Sequence, residues 1–316
     1  MKKSTFTHTV KDEICENDFT NLQYLSVLSA FVMINASFST EDERKILLST
    51  ENAKIAKLIF KALKQTFSVT PIFTYSKKMK LDKCVVYHIT IKEKIDEIMT
   101  YLELIDDEGY EVYPYNIISE VDELRAFIAG LFLASGSVNS PTSDNYHLQI
   151  TVNSEETAKY IVKQLNRFRN EKRMDFKYVK SRNKYIVYLK KADQIANFLA
   201  VVYANESMMD FENERIQKDF INSDNRYQIC LNANYQKTIA KSNEQIKDIE
   251  MIEKHFSMCY LSEKEQLIAK ARKEYNEAPL SELSLILKKE YGITISKSGL
   301  SRAFNNIHDL ARKVNK

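Results

Sequence analysis

Residues 124 to 138 read Leu124-Arg-Ala-Phe-Ile-Ala-Gly-Leu-Phe-Leu-Ala-Ser-Gly-Ser-Val138, an almost unbroken apolar run that ends in small residues. Leu124, Phe127, Leu131 and Ala134 recur at helical spacing, and Ala129 and Gly130 leave a face bare enough for another helix to approach closely. A matching stretch lies upstream, Leu25-Ser-Val-Leu-Ser-Ala-Phe-Val-Met-Ile-Asn-Ala-Ser-Phe38, with small residues at Ser29 and Ala30. Two such helices predict a duplicated unit packed helix to helix.

The flanks repeat as well. A short amphipathic segment near residues 9–16 precedes the first small-residue helix, expected at about 18–36. Strands are expected at 37–39 and 45–49, then a helix at 52–65 with Ile55, Leu58, Ile59, Ala62 and Leu63 on one face. Residues 69–75 and 84–91 alternate in the strand manner around the basic turn Lys77-Lys-Met-Lys80, and a helix at 95–104 closes the unit. The second half runs in the same order: the helix at 124–136, a hairpin ending in the strand 146–152, a helix at 154–168 capped by Ser154, and a hairpin of 176–179 and 185–189. That hairpin crosses Lys180-Ser-Arg-Asn-Lys184, and a helix at 193–203 ends the repeat. Local sequence echoes the duplication, Ala56-Lys-Leu-Ile-Phe-Lys-Ala-Leu63 against Ala158-Lys-Tyr-Ile-Val-Lys-Gln-Leu165. Residues 106–121 read as the connector between repeats. The polar stretch from about 205 to 230, with Arg215, Lys218, Asn222, Asn225 and Arg226, reads as a second connector, and beyond it every pattern is helical.

With 44% hydrophobic and 28% charged residues the composition is that of a soluble globular protein. The start of the chain has no apolar core that could serve as a signal peptide, and no run reaches the roughly 18 apolar residues of a membrane span. A cytoplasmic protein without a membrane partner is expected. Cys15, Cys84, Cys230 and Cys259 are scattered, without metal spacing, and read as buried free thiols. His88 and His147 fall in alternating runs and read as ordinary strand positions.

Net charge is only +3, but its distribution is uneven. From Pro279 onward seven Lys and Arg face three acids, so the rest of the chain is close to neutral. In that region a helix at 281–289 leads through Tyr291-Gly-Ile-Thr-Ile295 to a last helix beginning near Ser296. Upstream, helices are expected at 236–256 and at 262–275, the second burying Leu267, Ile268 and Ala271. In the last helix Leu300, Ala303, Phe304 and Ile307 form the buried stripe, and Lys297, Ser298, Ser301, Arg302 and Asn305 are left on the opposite face. This is the pattern of a helix-turn-helix recognition helix, in which Arg302 and Asn305 could reach base edges. Ser296, Lys288 and Lys289 are candidate phosphate contacts. So, on the hairpin turns, are Lys78, Lys80, Arg182 and Lys184.

The duplicated unit with its small-residue helix resembles the LAGLIDADG homing-endonuclease fold. In that family an acid at the eighth motif position of each axis helix holds divalent metal over the scissile phosphates. Here Ile128-Ala-Gly-Leu-Phe-Leu-Ala-Ser-Gly136 places Ser135 at that position, and Leu28-Ser-Ala-Phe-Val-Met-Ile-Asn-Ala36 places Asn35 there. Neither side chain supplies the anionic charge a catalytic magnesium ion needs, so no catalytic residue and no metal are expected. The fold class is α+β: a duplicated LAGLIDADG-like αββαββα domain at 1–205 (repeats 18–104 and 122–204), a linker at 206–230, and an all-α helix-turn-helix domain at 231–316.

That arrangement resembles the bacterial WhiA family over essentially the whole chain. Phe127 to Val138 carries the resemblance, with Asn225-Arg226, Asn232-Ala-Asn-Tyr-Gln-Lys237 and Ile295-Ser-Lys-Ser-Gly299. The last three are similar to the family's Asn-Arg, Ala-Asn-x-x-Lys and Leu-Ser-Lys-Ser-Gly signatures, so Asn225, Arg226, Asn232, Asn234 and Lys237 form a linker motif. The resemblance implies a non-catalytic, nucleoid-associated DNA-binding protein, a sporulation transcription factor in filamentous actinobacteria and a factor in cell division and chromosome segregation elsewhere. The family's helix-turn-helix is similar to the sigma-factor domain that reads a promoter element. Double-stranded DNA is therefore the expected partner, with RNA polymerase or another regulator beside it, and no cofactor or small-molecule substrate. Two other classes compete: a protein-interaction scaffold with incidental DNA binding, and an active endonuclease.

Overall fold

The computed structural model describes residues 5–39, 44–77, 85–167, 174–255 and 258–314. Two compact units make up the chain, Met1–Lys218 and Asp219–Lys316. Among the described residues no helix is long and apolar enough to cross a membrane.

The N-terminal unit opens with α1 (Phe6–Glu16) and then runs twice through the expected order. The first copy is α2 (Asn21–Asn35), β1 (Ser37–Ser39), β2 (Lys45–Thr50), α3 (Ala53–Phe67), β3 (Ile72–Lys77), β4 (Val85–Ile91) and α4 (Ile95–Tyr101). The second is α5 (Val121–Ser135), β5 (Gly136–Val138), β6 (Leu148–Val152), α6 (Glu155–Arg167), β7 (Lys177–Ser181), β8 (Lys184–Leu189) and α7 (Ala192–Val201). Each copy folds its strands into an antiparallel four-stranded sheet of identical topology, β1-β2-β4-β3 and β5-β6-β8-β7. Alternation places Ile46, Leu48, Ile89 and Ile91 of the first sheet, and Leu148, Ile150, Val187 and Leu189 of the second, in one continuous core.

Helices α2 and α5 form the axis of this unit. Both are buried nearly all round, as expected of helices that pack on each other and on sheets at once. They approach closely at Gly130, where a Cβ would lie 2.6 Å from the Val27 carbonyl oxygen and 2.8 Å from the Ala30 Cβ. The hydroxyls buried on α2 are satisfied by backbone: Ser29 donates to the Leu102 carbonyl at 2.8 Å, and Ser26 to those of Leu22 and Ile117 at 3.1 and 3.0 Å.

The stretch expected as a connector at 206–230 is helical. It belongs to α8 (Asn205–His255), and the chain divides into its two units inside that helix, between Lys218 and Asp219. No Gly or Pro interrupts the sequence from 205 to 255, so polarity alone did not end the helix. Its first turn is anchored by Glu13 of α1, whose carboxylate accepts from the Glu206 and Ser207 amides at 2.7 and 2.9 Å.

The C-terminal unit packs the end of α8 with α9 (Glu263–Glu274), α10 (Leu280–Glu290) and α11 (Lys297–Val314). A capping box at Ser262 and Glu265 starts α9. Ile268, Ala269 and Ala271 are buried, whereas Leu267, expected inside, is 36% exposed, one residue round the helix from the core-facing stripe.

Candidate nucleic-acid interface

The turn from α10 to α11 passes through Gly292 at φ 67, a backbone conformation that costs glycine nothing. Helix α11 then buries Leu300, Ala303, Phe304, Ile307 and Ala311 against α9 and α10. The helical period leaves Lys297, Ser298, Ser301, Arg302 and Asn305 together on the exposed face. No side chain of Lys297, Ser301, Arg302 or Asn305 is engaged by another described residue, so each can turn toward a ligand. The next helical faces are used internally: Asn306 donates to Glu265 at 3.2 Å, and His308 bonds Asp248 at 2.8 Å. Lys288 and Lys289 at the end of α10 are exposed.

Ser296 has a structural role. Its hydroxyl accepts from the Gly299 amide at 3.2 Å and lies 2.9 Å from the Ser298 hydroxyl, the bonding of a helix N-cap. The cap leaves the remaining amides of the first turn as the free donors there.

A buried arginine holds this motif together, and the periodicity of the sequence does not single it out. Arg272 of α9 is 2% exposed, donates to the Tyr275 and Ala278 carbonyls at 3.3 and 2.6 Å, and lies over the Phe304 ring of α11 at 5.4 Å. Burial pushes its guanidinium pKa down to about 10, which leaves it protonated at neutral pH. Three Tyr–Glu hydrogen bonds tie the helices of this unit together: Tyr235 to Glu277 at 2.9 Å, Tyr275 to Glu290 at 2.8 Å and Tyr291 to Glu274 at 2.7 Å.

In the N-terminal unit the two degenerate motif positions sit at the C-terminal ends of α2 and α5. Asn35 extends the sheet: its side-chain oxygen accepts from the Ser49 amide at 2.9 Å, beyond the last residue that β1 pairs. The Ser135 hydroxyl is buried and has no hydrogen-bond partner among the described residues. Helix α1 lies over this end of the axis. Thr7 clasps the edge strand β5, donating to the Val138 carbonyl at 2.8 Å and accepting from its amide at 2.9 Å. Lys11 donates to the Leu133 carbonyl at 3.2 Å, in the last turn of α5 where carbonyls lack helical partners. A cavity of 610 Å³ remains beside it, bordered by Thr5, Lys11, Ser49, Asn52 and Ala134. Among the described residues no three His, Cys, Asp or Glu side chains converge as a metal site would require.

Burial pushes the Lys11 amine down to about 8, against a small opposing influence of Cys15. The unfolded chain then holds this proton to a higher pH than the folded chain, so stability rises as pH increases from about 8 toward the unfolded value. Cys15, pushed up to about 12 by burial first and by Asp12 second, acts oppositely once unfolded thiols ionise near 9. Between pH 8 and 9 the lysine effect is the larger of the two, because the folded amine is already losing its proton while unfolded thiols only begin to ionise. Thermal melts should show that Lys11→Met flattens the rise in this window; an unchanged slope would refute the assignment.

The hairpin cations are only partly placed. Arg182 sits in the β7–β8 turn at φ 55 and Lys184 is exposed beside it, whereas Lys78 and Lys80 lie outside the described residues. Lys180 reaches over the Tyr185 ring at 5.8 Å. His88 bonds Ser49 and Ser76, each at 2.9 Å, across three strands. His147 bonds Gln149 at 3.1 Å and stacks on Tyr188. All members of the linker motif are exposed on α8. At helical spacing Asn225 and Asn232 share one side, Arg226 and Lys237 another, and Asn234 a third, so the structure does not gather them into one site. Cys15, Cys230 and Cys259 are free thiols, but only Cys15 is partly buried: Cys230 and Cys259, expected inside, are exposed, Cys230 on the solvated stretch of α8; Cys84 lies outside the described residues.

Family models match nearly the whole chain in three consecutive pieces: the WhiA N-terminal LAGLIDADG-like domain at residues 23–105, the WhiA LAGLIDADG-like domain at 124–221, and the WhiA C-terminal HTH domain at 225–311. A Lactobacillus acidophilus protein named probable cell division protein WhiA is 33% identical over 314 residues, 98% of this chain and 99% of its own. A protein of the same name from Enterococcus faecalis is 35% identical over 312 residues, 98% of each chain. The crystal structure of full-length DUF199/WhiA from Thermotoga maritima aligns with a TM-score of 0.60 at 22% identity, covering 98% of this chain and 99% of that one, which shows a shared fold.

Proposed function

Since the chain belongs to the WhiA family, we propose that it is a non-catalytic, nucleoid-associated protein that binds duplex DNA and acts in transcription regulation, cell division and chromosome segregation. The observation that carries this reading is the exposed face of α11, where Lys297, Ser301, Arg302 and Asn305 stand together without internal partners at the start of a helix. Two cations, a hydroxyl and an amide at that position match the chemistry of phosphate and base-edge recognition in the major groove. Lys288 and Lys289, exposed in the last turn of α10, are candidate phosphate contacts. Asn35 and Ser135 lack the carboxylate charge that hydrolysis through divalent metal requires, and Asn35 is occupied as a sheet partner.

The test is binding to DNA fragments selected from a genomic pool. Arg302→Ala is expected to cost about 1–3 kcal/mol at the preferred sequence and relax one base preference. Lys297→Ala should weaken all sequences alike and lower the salt slope by about one. The same DNA incubated with magnesium should remain uncut. Arg302→Ala with unaltered affinity and preference, or clean metal-dependent nicking, would overturn the corresponding part of the reading.

A protein partner, RNA polymerase or another regulator, is the second arm of the proposal. Tyr101, Tyr110 and Tyr115 around the connector of the N-terminal unit are each at least half exposed, and exposed aromatic rings are enriched at protein interfaces. Retention of a partner after nuclease treatment would support this arm; loss of every partner on treatment would sink it.

A further inference from the structure

The amine of Lys11 is fixed in position at the edge of a cavity. Its Nζ donates to the Leu133 carbonyl at 3.2 Å and lies 5.6 Å from the Phe132 ring, and no carboxylate of a described residue pairs with it. The side chain is half-buried and borders the 610 Å³ cavity at the end of the axis, so a small molecule in that space would meet it. A neutral amine that donates one N–H still carries a lone pair. Burial holds this amine at about 8, so about a quarter of it is free base at pH 7.5, against about one part in a thousand for an exposed lysine. Desolvated lysines are the ones suited to forming Schiff bases with carbonyl compounds.

The surroundings select the kind of carbonyl compound. His8, one turn before Lys11 on the same side of α1, borders the same cavity, and its Nδ1 lies 3.4 Å from the Asp12 carboxylate. With Nδ1–H turned to Asp12, Nε2 is left to accept a proton. Ser49, Thr50 and Asn52 line the cavity with hydroxyl and amide groups. Charge disfavours an anion there. Glu51 borders the cavity and Asp12 stands behind His8, whereas the neighbouring cation, Lys54, is bonded to Asp12 and Glu16 at 3.3 and 2.6 Å. Cys15 lies further along α1 with its thiol protonated, and the last turn of α5 brings carbonyls but no charged side chain.

We propose that Lys11 is a covalent binding site for a small neutral aldehyde, with a hydroxyaldehyde suiting the polar lining. The Nζ lone pair attacks the carbonyl carbon as the C=O π pair moves onto oxygen. His8 takes a proton from nitrogen and returns it to that oxygen, which gives a carbinolamine. A second proton on the same oxygen lets it leave as water while the nitrogen lone pair closes the C=N bond. The products are an imine and one water, with nothing oxidised or reduced. The proposal rests on the N-terminal unit alone and stands whether or not α11 reads DNA.

The test is a brief exposure of the full chain at about pH 7.5 to limiting glycolaldehyde with cyanoborohydride, which reduces the imine to a stable secondary amine, followed by peptide mass spectrometry. Lys11 should label at least about 10-fold faster than exposed lysines such as Lys288 and Lys289. That advantage should shrink as pH rises from about 8 toward the exposed-lysine value, because the exposed amines then lose their protons too. His8→Gln should slow Lys11 by about 10-fold or more, with the exposed lysines and the melting temperature unchanged. Labelling of Lys11 no faster than the exposed lysines overturns the proposal, and so does an advantage that stays constant with pH. A His8→Gln chain that labels at the parent rate overturns the proton transfer. If Lys11 is instead singled out by acetyl phosphate and not by glycolaldehyde, the amine is an acylation site and the aldehyde is excluded.

Discussion

Gly130→Ala is expected to destabilise the N-terminal unit by about 2–4 kcal/mol, although alanine is the better helix former by about 1 kcal/mol. The reason is the axis. A methyl group at this position would lie 2.6 Å from the Val27 carbonyl oxygen and 3.0 Å from the Val27 Cα, and backbone cannot rotate aside as a side chain can. Helix α5 would have to withdraw from α2, and because both helices pack on the sheets, the displacement would spread through a core that is close-packed. Urea or thermal unfolding reports the loss directly. Adding Ala30→Gly should recover part of it, since the Ala30 Cβ is the second obstacle at 2.8 Å, but not all, since the carbonyl stays. Gly130→Ala melting at or above the parent temperature would mean that the axis yields, and the close approach would then carry no energetic weight.

Arg272→Ala should cost the C-terminal unit about 3–5 kcal/mol. Truncation leaves the Ala278 carbonyl without its donor and opens a cavity beside Phe304, the residue that seats α11 in its core. Arg272→Met separates the two contributions. It fills most of the volume and relieves the desolvation of a charge, but supplies no donor, so about half of the loss should remain. The consequence for binding follows from geometry: Lys297, Arg302 and Asn305 are presented by the helix that Phe304 anchors, so DNA affinity should fall in parallel with stability. Melting and DNA binding that are both unaffected by Arg272→Ala would remove the arginine from the architecture of the motif.

The repeat, the axis helices and the exposed face of α11 were all legible in the chain, because each is written in local spacing. Apolar residues three and four apart mark the inward faces of α3, α6 and α11, and alternation marks the strands. The small residues at Ser29, Ala30, Ala129 and Gly130 announced a close helix pair before any contact was known. Where the reading departed from the structure, the missing information was not local. Polar composition suggested a connector at 206–230, but without glycine or proline a polar stretch continues a helix that is anchored at both ends of its length. Leu267 and Ile268 are adjacent apolar residues, and a shift of one residue decides which of them enters the core.

By itself the sequence determined the α+β class, the duplication, the absence of acids at both motif positions and the face of the last helix that could meet DNA. Those features depend on residue type and on spacing within a single helix or strand. Only the tertiary structure decided that Asn35 completes a sheet, that Lys11 and Thr7 close the end of the axis, that Arg272 braces α11, and that the α8 side chains from Phe220 to Leu231 are exposed. Each of these is a contact, or a missing contact, between residues distant in the chain, and burial and hydrogen bonding at that range are properties of the packed core rather than of any short stretch.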